Sequence, residues 1–174
     1  MKSEELKKCI RDIPNFPQEG IVFKDITTLL KDKKAFKQSI DILVKKFKKE
    51  KVEYVIGVES RGFLFGAPLA YALGAGFVPV RKKGKLPHKT KSITYELEYG
   101  KDTLEIHEDA LGPKSRVLVV DDLLATGGTI KAVTDLLKGF NVKIVGVAFL
   151  VELKFLKGKD KLKNVPLYSI VQYD

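Results

Sequence analysis

Short apolar runs rich in β-branched residues alternate with helical segments along most of this chain, and this alternation restricts the fold more than any other feature. The runs have the length and composition of buried strands: YVIGV at 54–58, GFVPV at 76–80, RVLVV at 116–120, KIVGVAFLVEL at 143–153 and LYSIVQ at 167–172. Helical patterns follow the first and third runs, and Gly139 is the expected C-cap of the later helix. The sequence therefore predicts an α/β fold with a central, mainly parallel sheet flanked by helices.

The first 50 residues carry two further helix patterns separated by a turn-rich stretch. Residues 3–11 predict a short helix, and residues 13–25 contain Pro14, Pro17 and Gly20, which favour turns. Asp32 is placed to cap a helix whose apolar residues follow a period of about 3.6.

One segment breaks the alternation of strands and helices. From Ile93 to Tyr99 apolar and polar residues alternate, and after Gly100 the run TLEIHE alternates again. This pattern predicts a half-exposed antiparallel hairpin, spanning about 86–108, inserted between two buried parallel strands. A hairpin that stands off such a sheet is a candidate lid over a site.

Length and cysteine content predict one domain, 1–174, in a reducing compartment. The 174 residues suffice to bury a core, and a single cysteine, Cys9, excludes a disulfide within the chain. The N-terminal residues lack the apolar stretch of a secretion signal, and no apolar run approaches the roughly 18 residues of a membrane span. We therefore expect a cytoplasmic protein without a membrane partner.

A formal net charge of +10 raises the question of nucleic-acid binding. Only four of the 32 basic residues are arginine, the side chain favoured for bidentate recognition of phosphates and bases. The lysines are spread along helix surfaces, which is typical of a solvated coat. The pattern argues against a nucleic-acid partner, while the positive potential would still attract small polyanions into a cleft.

The stretch VLVVDDLLATGGT carries the most chemical information. Its apolar run ends in Asp121 and Asp122, so these carboxylates are expected at the carboxyl edge of the sheet. A helix then opens at Ala125, Thr126, Gly127, Gly128 and Thr129, where backbone N–H groups, the helix N-terminus and two hydroxyls can hold a phosphate. The acids repel that phosphate but suit neutral hydroxyls. A ribose 5-phosphate meets both requirements.

This stretch resembles the phosphoribosyl-pyrophosphate (PRPP) binding motif of the type I phosphoribosyltransferases. Other segments, in matching order, resemble the adenine phosphoribosyltransferases within that family: FPQEGIVFKDIT, ESRGFLFGAPLA, VRKKGKLP, YELEYGKDTLEI, LVELKFLKG and SIVQY. The resemblance implies the type I phosphoribosyltransferase fold, conversion of adenine and PRPP to AMP and pyrophosphate in purine salvage, and a homodimer. It also implies Mg²⁺ held by the substrate's diphosphate, and no metal site made by the chain itself.

The resemblance assigns the diphosphate to two loops. Glu59, Ser60 and Arg61 match the family's pyrophosphate loop, where the arginine takes part in catalysis and a cis peptide often occurs, here near Glu59–Ser60. Arg81 and Lys85 match a basic set that follows the next strand, and in the family some of these groups reach the neighbouring subunit's site.

The resemblance also assigns the lid and the base pocket. Glu98 matches the family's general acid/base, and Tyr99 would help to close the lid over PRPP. The adenine pocket would be formed by Val22, Phe23, Lys24 and Leu153. The family often has arginine where this chain has Lys24.

Two alternatives remain open at this point. A hypoxanthine or guanine phosphoribosyltransferase would share the PRPP motif but would lack FPQEGIVFKD and LEYG. A non-catalytic regulator could use the same fold to sense PRPP while it binds nucleic acid, but it would need a DNA-binding module or a concentrated basic face.

Overall fold

A computed structural model describes residues 3–96 and 100–174 of the chain. The α-helices are α1 (Ser3–Lys7), α2 (Thr27–Lys31), α3 (Lys33–Phe47), α4 (Phe63–Leu73) and α5 (Gly128–Lys138). The strands are β1 (Arg11–Pro14), β2 (Val22–Asp25), β3 (Tyr54–Val58), β4 (Gly76–Lys82), β5 (Thr90–Glu96), β6 (Lys101–His107), β7 (Arg116–Leu124), β8 (Lys143–Leu153) and β9 (Leu167–Tyr173). Two 3₁₀ turns, Lys154–Leu156 and Gly158–Lys161, follow β8.

Seven strands of the described residues form one sheet in the order β5-β6-β4-β3-β7-β8-β9. The five strands from β4 to β9 in this order are parallel, which confirms the predicted α/β fold with a mainly parallel sheet. The β5–β6 hairpin is antiparallel, as its alternation predicted. It does not simply stand off the sheet, because β6 pairs with the end of β4 through Arg81↔Glu105 and Lys82↔Leu104.

Apolar side chains fill both faces of the sheet. In β7, Leu118 and Val120 contribute to the core beneath α3 and α4, while Val117 and Val119 contribute to the core beneath α5. Successive side chains of a strand point to opposite faces, so a strand buried on both sides is apolar throughout. No helix within the described residues combines the length and the apolar character that a bilayer crossing requires.

Asp32 caps α3 as predicted. Its Oδ1 accepts hydrogen bonds from the backbone N–H groups of Lys34 at 2.8 Å and Ala35 at 3.0 Å. These two amides have no partner within the helix, so the cap satisfies them and fixes the first turn.

The N-terminal region differs from the sequence-based prediction. The helix α1 ends at Lys7 instead of Arg11, and the turn-rich stretch contains an antiparallel ribbon in which β1 pairs with β2 from Arg11↔Asp25 to Pro14↔Val22. Each strand has only four residues, β1 is largely exposed and β2 is mostly half-buried, so the ribbon lacks the apolar alternation that identifies a strand. Ion pairs join them instead, including Arg11 with Asp25.

Candidate active site

The loop between β7 and α5 forms one wall of a cavity of about 1020 Å³. Gly127 adopts a left-handed conformation with φ of 79° and is the N-cap of α5, which begins at Gly128 as the sequence predicted. The cavity is lined at this wall by Ala125, Thr126, Gly128 and Thr129. Unpaired N–H groups and the helix dipole make such a junction attractive to an anion.

The paired acids lie inside strand β7 and not beyond its end. Although the apolar run ends at Val120, β8 continues to pair with β7 as far as Leu124↔Glu152, so the extended conformation persists. Asp122 is buried and Asp121 is half-buried, and the Asp122 N–H donates to Asp121 Oδ1 at 2.9 Å. The two carboxylates are therefore held on successive residues at the carboxyl edge of the sheet.

The charge state of the acid pair depends on burial and on one cation. Burial raises the pKa of Asp121, and the neighbouring charge of Asp122 raises it further. Burial also raises the pKa of Asp122, but the guanidinium of Arg61 opposes this rise, with its Nε 3.0 Å from Asp122 Oδ2. Asp122 Oδ2 has no hydrogen-bond partner among the described residues, so the pair retains the capacity to accept a hydrogen bond.

A glycine brings the loop after β3 against β7. A Cβ on Gly62 would lie 2.6 Å from the Val58 carbonyl oxygen and 2.9 Å from Asp121 Oδ1, closer than side chains normally approach. Only glycine allows this approach, which places Arg61 beside the acids. Residues 59–61 and the acids therefore lie at the same edge of the sheet.

The peptide bond between Glu59 and Ser60 is cis, as the family resemblance implied. The side chain of Glu59 is 7% exposed and faces cations, with Lys85 Nζ and Arg81 Nε (3.4 Å) as its ion-pair partners. Its Oε2 also accepts from the Lys82 N–H at 2.8 Å. Burial alone would raise the pKa of Glu59, but the hydrogen bonds from Lys85, Lys82 and Arg81 outweigh burial and lower it. The carboxylate of Glu59 thus forms ion pairs with Arg81 and Lys85 and does not itself attract an anion.

The β1–β2 ribbon and the segment after β8 form the opposite side of the cavity. Val22, Lys24 and Leu153 line the cavity, as does Phe155, to which the sequence assigned no role. The ring of Phe23 packs edge-on against Phe16, with centroids 5.2 Å apart. This wall is mainly apolar and aromatic, which suits a planar ring.

Lys24 is held by two groups of this wall. Its side chain is 11% exposed, and its Nζ lies 2.7 Å from Asp12 Oδ1 and 4.1 Å from the ring centroid of Tyr173. Burial raises the pKa of Tyr173 to about 12, with the charges of Asp12 and Glu4 acting in the same direction. The lysine therefore joins the ribbon to the last strand of the sheet.

The hairpin lies over the phosphate-side wall. The hydroxyls of Tyr95 and Thr129 are 3.4 Å apart, and Glu96 lines the cavity. Glu98 and Tyr99, the residues to which the family resemblance assigned catalysis and closure, lie outside the described residues. Of the hairpin residues that are described, Ile93 and Tyr95 face the core, as predicted.

Several cavity residues had no role assigned from the sequence. They include Phe155, Leu156, Lys161, Tyr173 and Asp174, which follow β8 or end the chain. Phe155 and Leu156 belong to LVELKFLKG and Tyr173 belongs to SIVQY, segments recognised only because they resemble the family, whereas Lys161 and Asp174 lie outside both segments. Their place at the cavity depends on tertiary contacts that no local pattern encodes.

Comparison with known proteins agrees with this geometry. The family model described as phosphoribosyl transferase domain matches residues 25–169. The adenine phosphoribosyltransferase of Clostridium tetani is 58% identical over 170 residues, which cover 98% of this chain and 99% of the relative. That of Crocosphaera subtropica is 57% identical over 171 residues, covering 97% and 99%.

Two solved structures resemble the chain closely. The adenine phosphoribosyltransferase of Thermoanaerobacter pseudethanolicus superposes with a TM-score of 0.95 at 53% identity, covering 99% of this chain and 100% of that one. The Saccharomyces cerevisiae enzyme, solved with adenine and an imino-altritol bisphosphate, has a TM-score of 0.91 at 44% identity and covers 97% of each chain.

Proposed function

The chain belongs to the phosphoribosyl transferase domain family, and from this premise we propose that it transfers the phosphoribosyl group of PRPP to adenine. The products are AMP and pyrophosphate, so the reaction is a pentosyl transfer that salvages a purine base. The observation that carries the proposal is one cavity with the loop 125–129 on one side and an apolar wall for the base on the other. The acid pair Asp121–Asp122 lies on β7, which directly precedes that loop. Similarity to adenine phosphoribosyltransferases favours adenine as the substrate base over hypoxanthine or guanine.

The phosphate and the ribose of PRPP are proposed to bind at the loop after β7. The N–H groups and hydroxyls of Ala125, Thr126, Gly127, Gly128 and Thr129 would hold the 5-phosphate at the N-terminus of α5. The carboxylates of Asp121 and Asp122 would accept hydrogen bonds from the 2- and 3-hydroxyls, which carry no charge to repel them.

The diphosphate is proposed to bind at Ser60 and Arg61, with Arg81 and Lys85 as further cations. Glu59 holds the last two side chains near the loop through its ion pairs, so its role is positioning and not direct contact with the anion. Cations fixed near the leaving group stabilise the charge that develops as the C1–oxygen bond breaks.

Magnesium fits this site as an ion that arrives with the substrate. Residues 3–96 and 100–174 contain no cluster of three or more His, Cys, Asp or Glu side chains suited to a metal. Hard divalent cations at such sites are held by phosphate oxygens, waters and one or two carboxylates, and Asp121 and Asp122 are the carboxylates at this edge. When bound, the ion supplies charge neutralisation for the leaving diphosphate.

Adenine is proposed to bind against the ribbon and the segment after β8. Val22 would read the edge of the base through its backbone, and Phe23 and Leu153 would pack on the ring.

Substitution occurs at C1 of the ribose: the bond to diphosphate breaks, the bond to a purine nitrogen forms, and the imidazole-side proton of the base passes to Glu98. Positioning and exclusion of water supply most of the rate.

The β5–β6 hairpin is proposed to act as a lid. In this structure it already contacts the phosphate wall through Tyr95 and Thr129. A closed hairpin would keep water from the reactive C1 and would bring Glu98 and Tyr99 to the site.

A homodimer is proposed from the outer face of α4. Leu64, Ala67 and Tyr71 are spaced by three and four residues and share this face, and Tyr71 is 90% exposed. A solvated helix face is normally polar, so an apolar stripe of this kind suits a contact with a second copy of the chain.

A cytoplasmic location is proposed because the only cysteine, Cys9, is a free thiol, which suits a reducing compartment.

The deciding experiment offers PRPP and Mg²⁺ together with adenine, guanine or hypoxanthine separately and measures nucleotide formation. We expect AMP from adenine, with kcat/KM at least about 100-fold higher than for the other two bases, because a backbone that pairs with the adenine edge leaves polar groups unpaired against an oxo-purine. Equal rates with guanine would contradict the proposal.

A further inference from the structure

Gly158 lies directly behind the phosphate wall. It is buried in the 3₁₀ turn that follows β8, and a Cβ at this position would stand 2.2 Å from the Ala125 carbonyl oxygen and 2.9 Å from the Gly127 nitrogen. The approach is reciprocal, since a Cβ on Gly127 would lie 2.4 Å from the Gly158 carbonyl oxygen. The two backbones therefore meet without any side chain between them.

Neither glycine of this contact lines the cavity. Ala125, Thr126, Gly128 and Thr129 line the cavity, whereas Gly127 is buried against Gly158. All three loop atoms nearest to such a Cβ belong to the backbone, so they cannot yield as a flexible side chain would. Any added atom at position 158 must therefore displace the loop or the turn.

From this geometry we propose that Gly158 is a positioning residue for the 5-phosphate: its bare backbone supports the loop in the shape that binds the anion. The inference rests on the proposed function of this site. Leu153 and Phe155, which line the base wall, precede this turn and lie outside the contact between Gly158 and the loop.

The test compares Gly158→Ala with Gly112→Ala. Gly112 is a matched control because its nearest neighbour for a Cβ, Ser115 Oγ, is 3.7 Å away, an ordinary contact. The probes are AMP and adenosine, which differ only by the phosphate, with the KM for PRPP and for adenine measured in parallel. A displacement of about 1 Å at a binding loop can cost roughly 100-fold.

We expect Gly158→Ala to reduce the ratio of AMP to adenosine affinity by about 10- to 100-fold and to raise the KM for PRPP. The KM for adenine and all values for Gly112→Ala should stay near those of the wild type. A wild-type ratio in a folded Gly158→Ala protein would overturn the inference. If the wild type itself forms no AMP from adenine and PRPP, the proposed function fails, which is a separate outcome.

A second pair of variants covers the case in which Gly158→Ala does not fold. The preceding residue, Lys157, is exposed and has a left-handed backbone with φ of 53°. A β-branched residue strains that conformation, whereas glycine adopts it freely. Lys157→Val should therefore shift Gly158 and lower the AMP to adenosine ratio relative to Lys157→Gly, which removes the same charge. Equal ratios in the two variants would overturn the inference.

Discussion

Arg61 and Asp122 form an ion pair across the sheet edge, with 3.0 Å between Arg61 Nε and Asp122 Oδ2. The side chain of Asp122 is 6% exposed and that of Arg61 is 38% exposed, so the arginine can turn outward to an anion while the acid stays in place. The pair thus links the loop proposed to bind the diphosphate with the acids proposed to bind the ribose.

Asp122→Asn should weaken the use of PRPP while the fold remains. The amide keeps the shape of the side chain but loses the charge that strengthens hydrogen bonds from the ribose hydroxyls, so the KM for PRPP should rise about 10- to 100-fold. Steady-state kinetics and thermal melting test this, with Asp41→Asn, at an exposed ion pair on α3, as the control. An unchanged KM for PRPP would remove Asp122 from the ribose site.

Asp121→Asn should make the ligand-free protein more stable. Its folded-state pKa is raised by burial and by Asp122, so the protonated acid stabilises the fold at low pH and this contribution is lost as pH rises through the folded-state pKa. At pH 7 the variant avoids the cost of burying charge, and we expect a gain of about 1 kcal/mol, or about 2–4 °C. The gain should disappear as the pH falls toward about 4.

Asp135→Asn is the control, because this substitution should change the stability at pH 7 in the opposite direction. Burial alone would raise the pKa of Asp135, but ion pairs with Lys131 and Lys138 lower it, so its contribution to stability is present above the unfolded-state pKa and is lost on acidification. That variant should be less stable than the wild type at pH 7. Melting curves between pH 4 and pH 8 measure both trends, and a destabilised Asp121→Asn protein at pH 7 would contradict the argument.

The centre of the site could be predicted from the sequence because its signals are local. An apolar run, two acids and the glycines of residues 125–129 follow one another directly, and each conveys its own conformational preference. Asp32 could be identified as a cap for the same reason. The cis bond at Glu59–Ser60 was expected only from family resemblance, since no pattern of residue types specifies it.

The remaining parts of the site depend on contacts between distant residues. Gly158 meets Gly127, and Lys24 meets Tyr173, across separations that leave no periodic signal in the chain. The β1–β2 ribbon was missed because its short strands are held by ion pairs and not by an alternating apolar face. Such features depend on tertiary packing and not on local sequence preference.

Lys24 should affect adenine binding more than PRPP binding, because it fixes the ribbon that carries Val22 and Phe23. Lys24→Met loses both the ion pair with Asp12 and the contact with the Tyr173 ring, so the KM for adenine should rise about 5- to 20-fold, in line with about 1–2 kcal/mol for a desolvated cation–π contact. The KM for PRPP should change less than about twofold.

Rescue variants separate this positioning role from a merely structural one. Lys24→Arg keeps the charge and should restore most of the adenine affinity, and Tyr173→Phe keeps the ring and should behave as the wild type. Tyr173→Leu should resemble Lys24→Met. A rise in the KM for PRPP equal to that for adenine would show that Lys24 supports the whole site and not the base wall in particular.

Glu98→Gln should lower kcat about 100- to 1000-fold with little change in either KM, because the amide cannot accept the proton of the base. Glu96→Gln is the matched control, since Glu96 shares the predicted strand face and lines the cavity. Single-turnover kinetics with saturating substrates measure the chemical step. A defect confined to KM would make Glu98 a binding residue, and a larger loss in the Glu96 variant would reassign the acid/base.

Tyr71→Glu and Leu64→Glu should dissociate the proposed homodimer. A charge in the middle of an apolar contact must be buried without a partner, which costs several kcal/mol, and a twofold interface contains each substitution twice. Sedimentation velocity should show a monomer for these variants and a dimer for the wild type and for Lys45→Glu, a charge change at an exposed residue of α3. If the variants sediment as the wild type does, the α4 face is not the interface. Loss of activity together with dissociation would further indicate that Arg81 or Lys85 serves the neighbouring subunit's site, whereas a fully active monomer would confine both residues to their own.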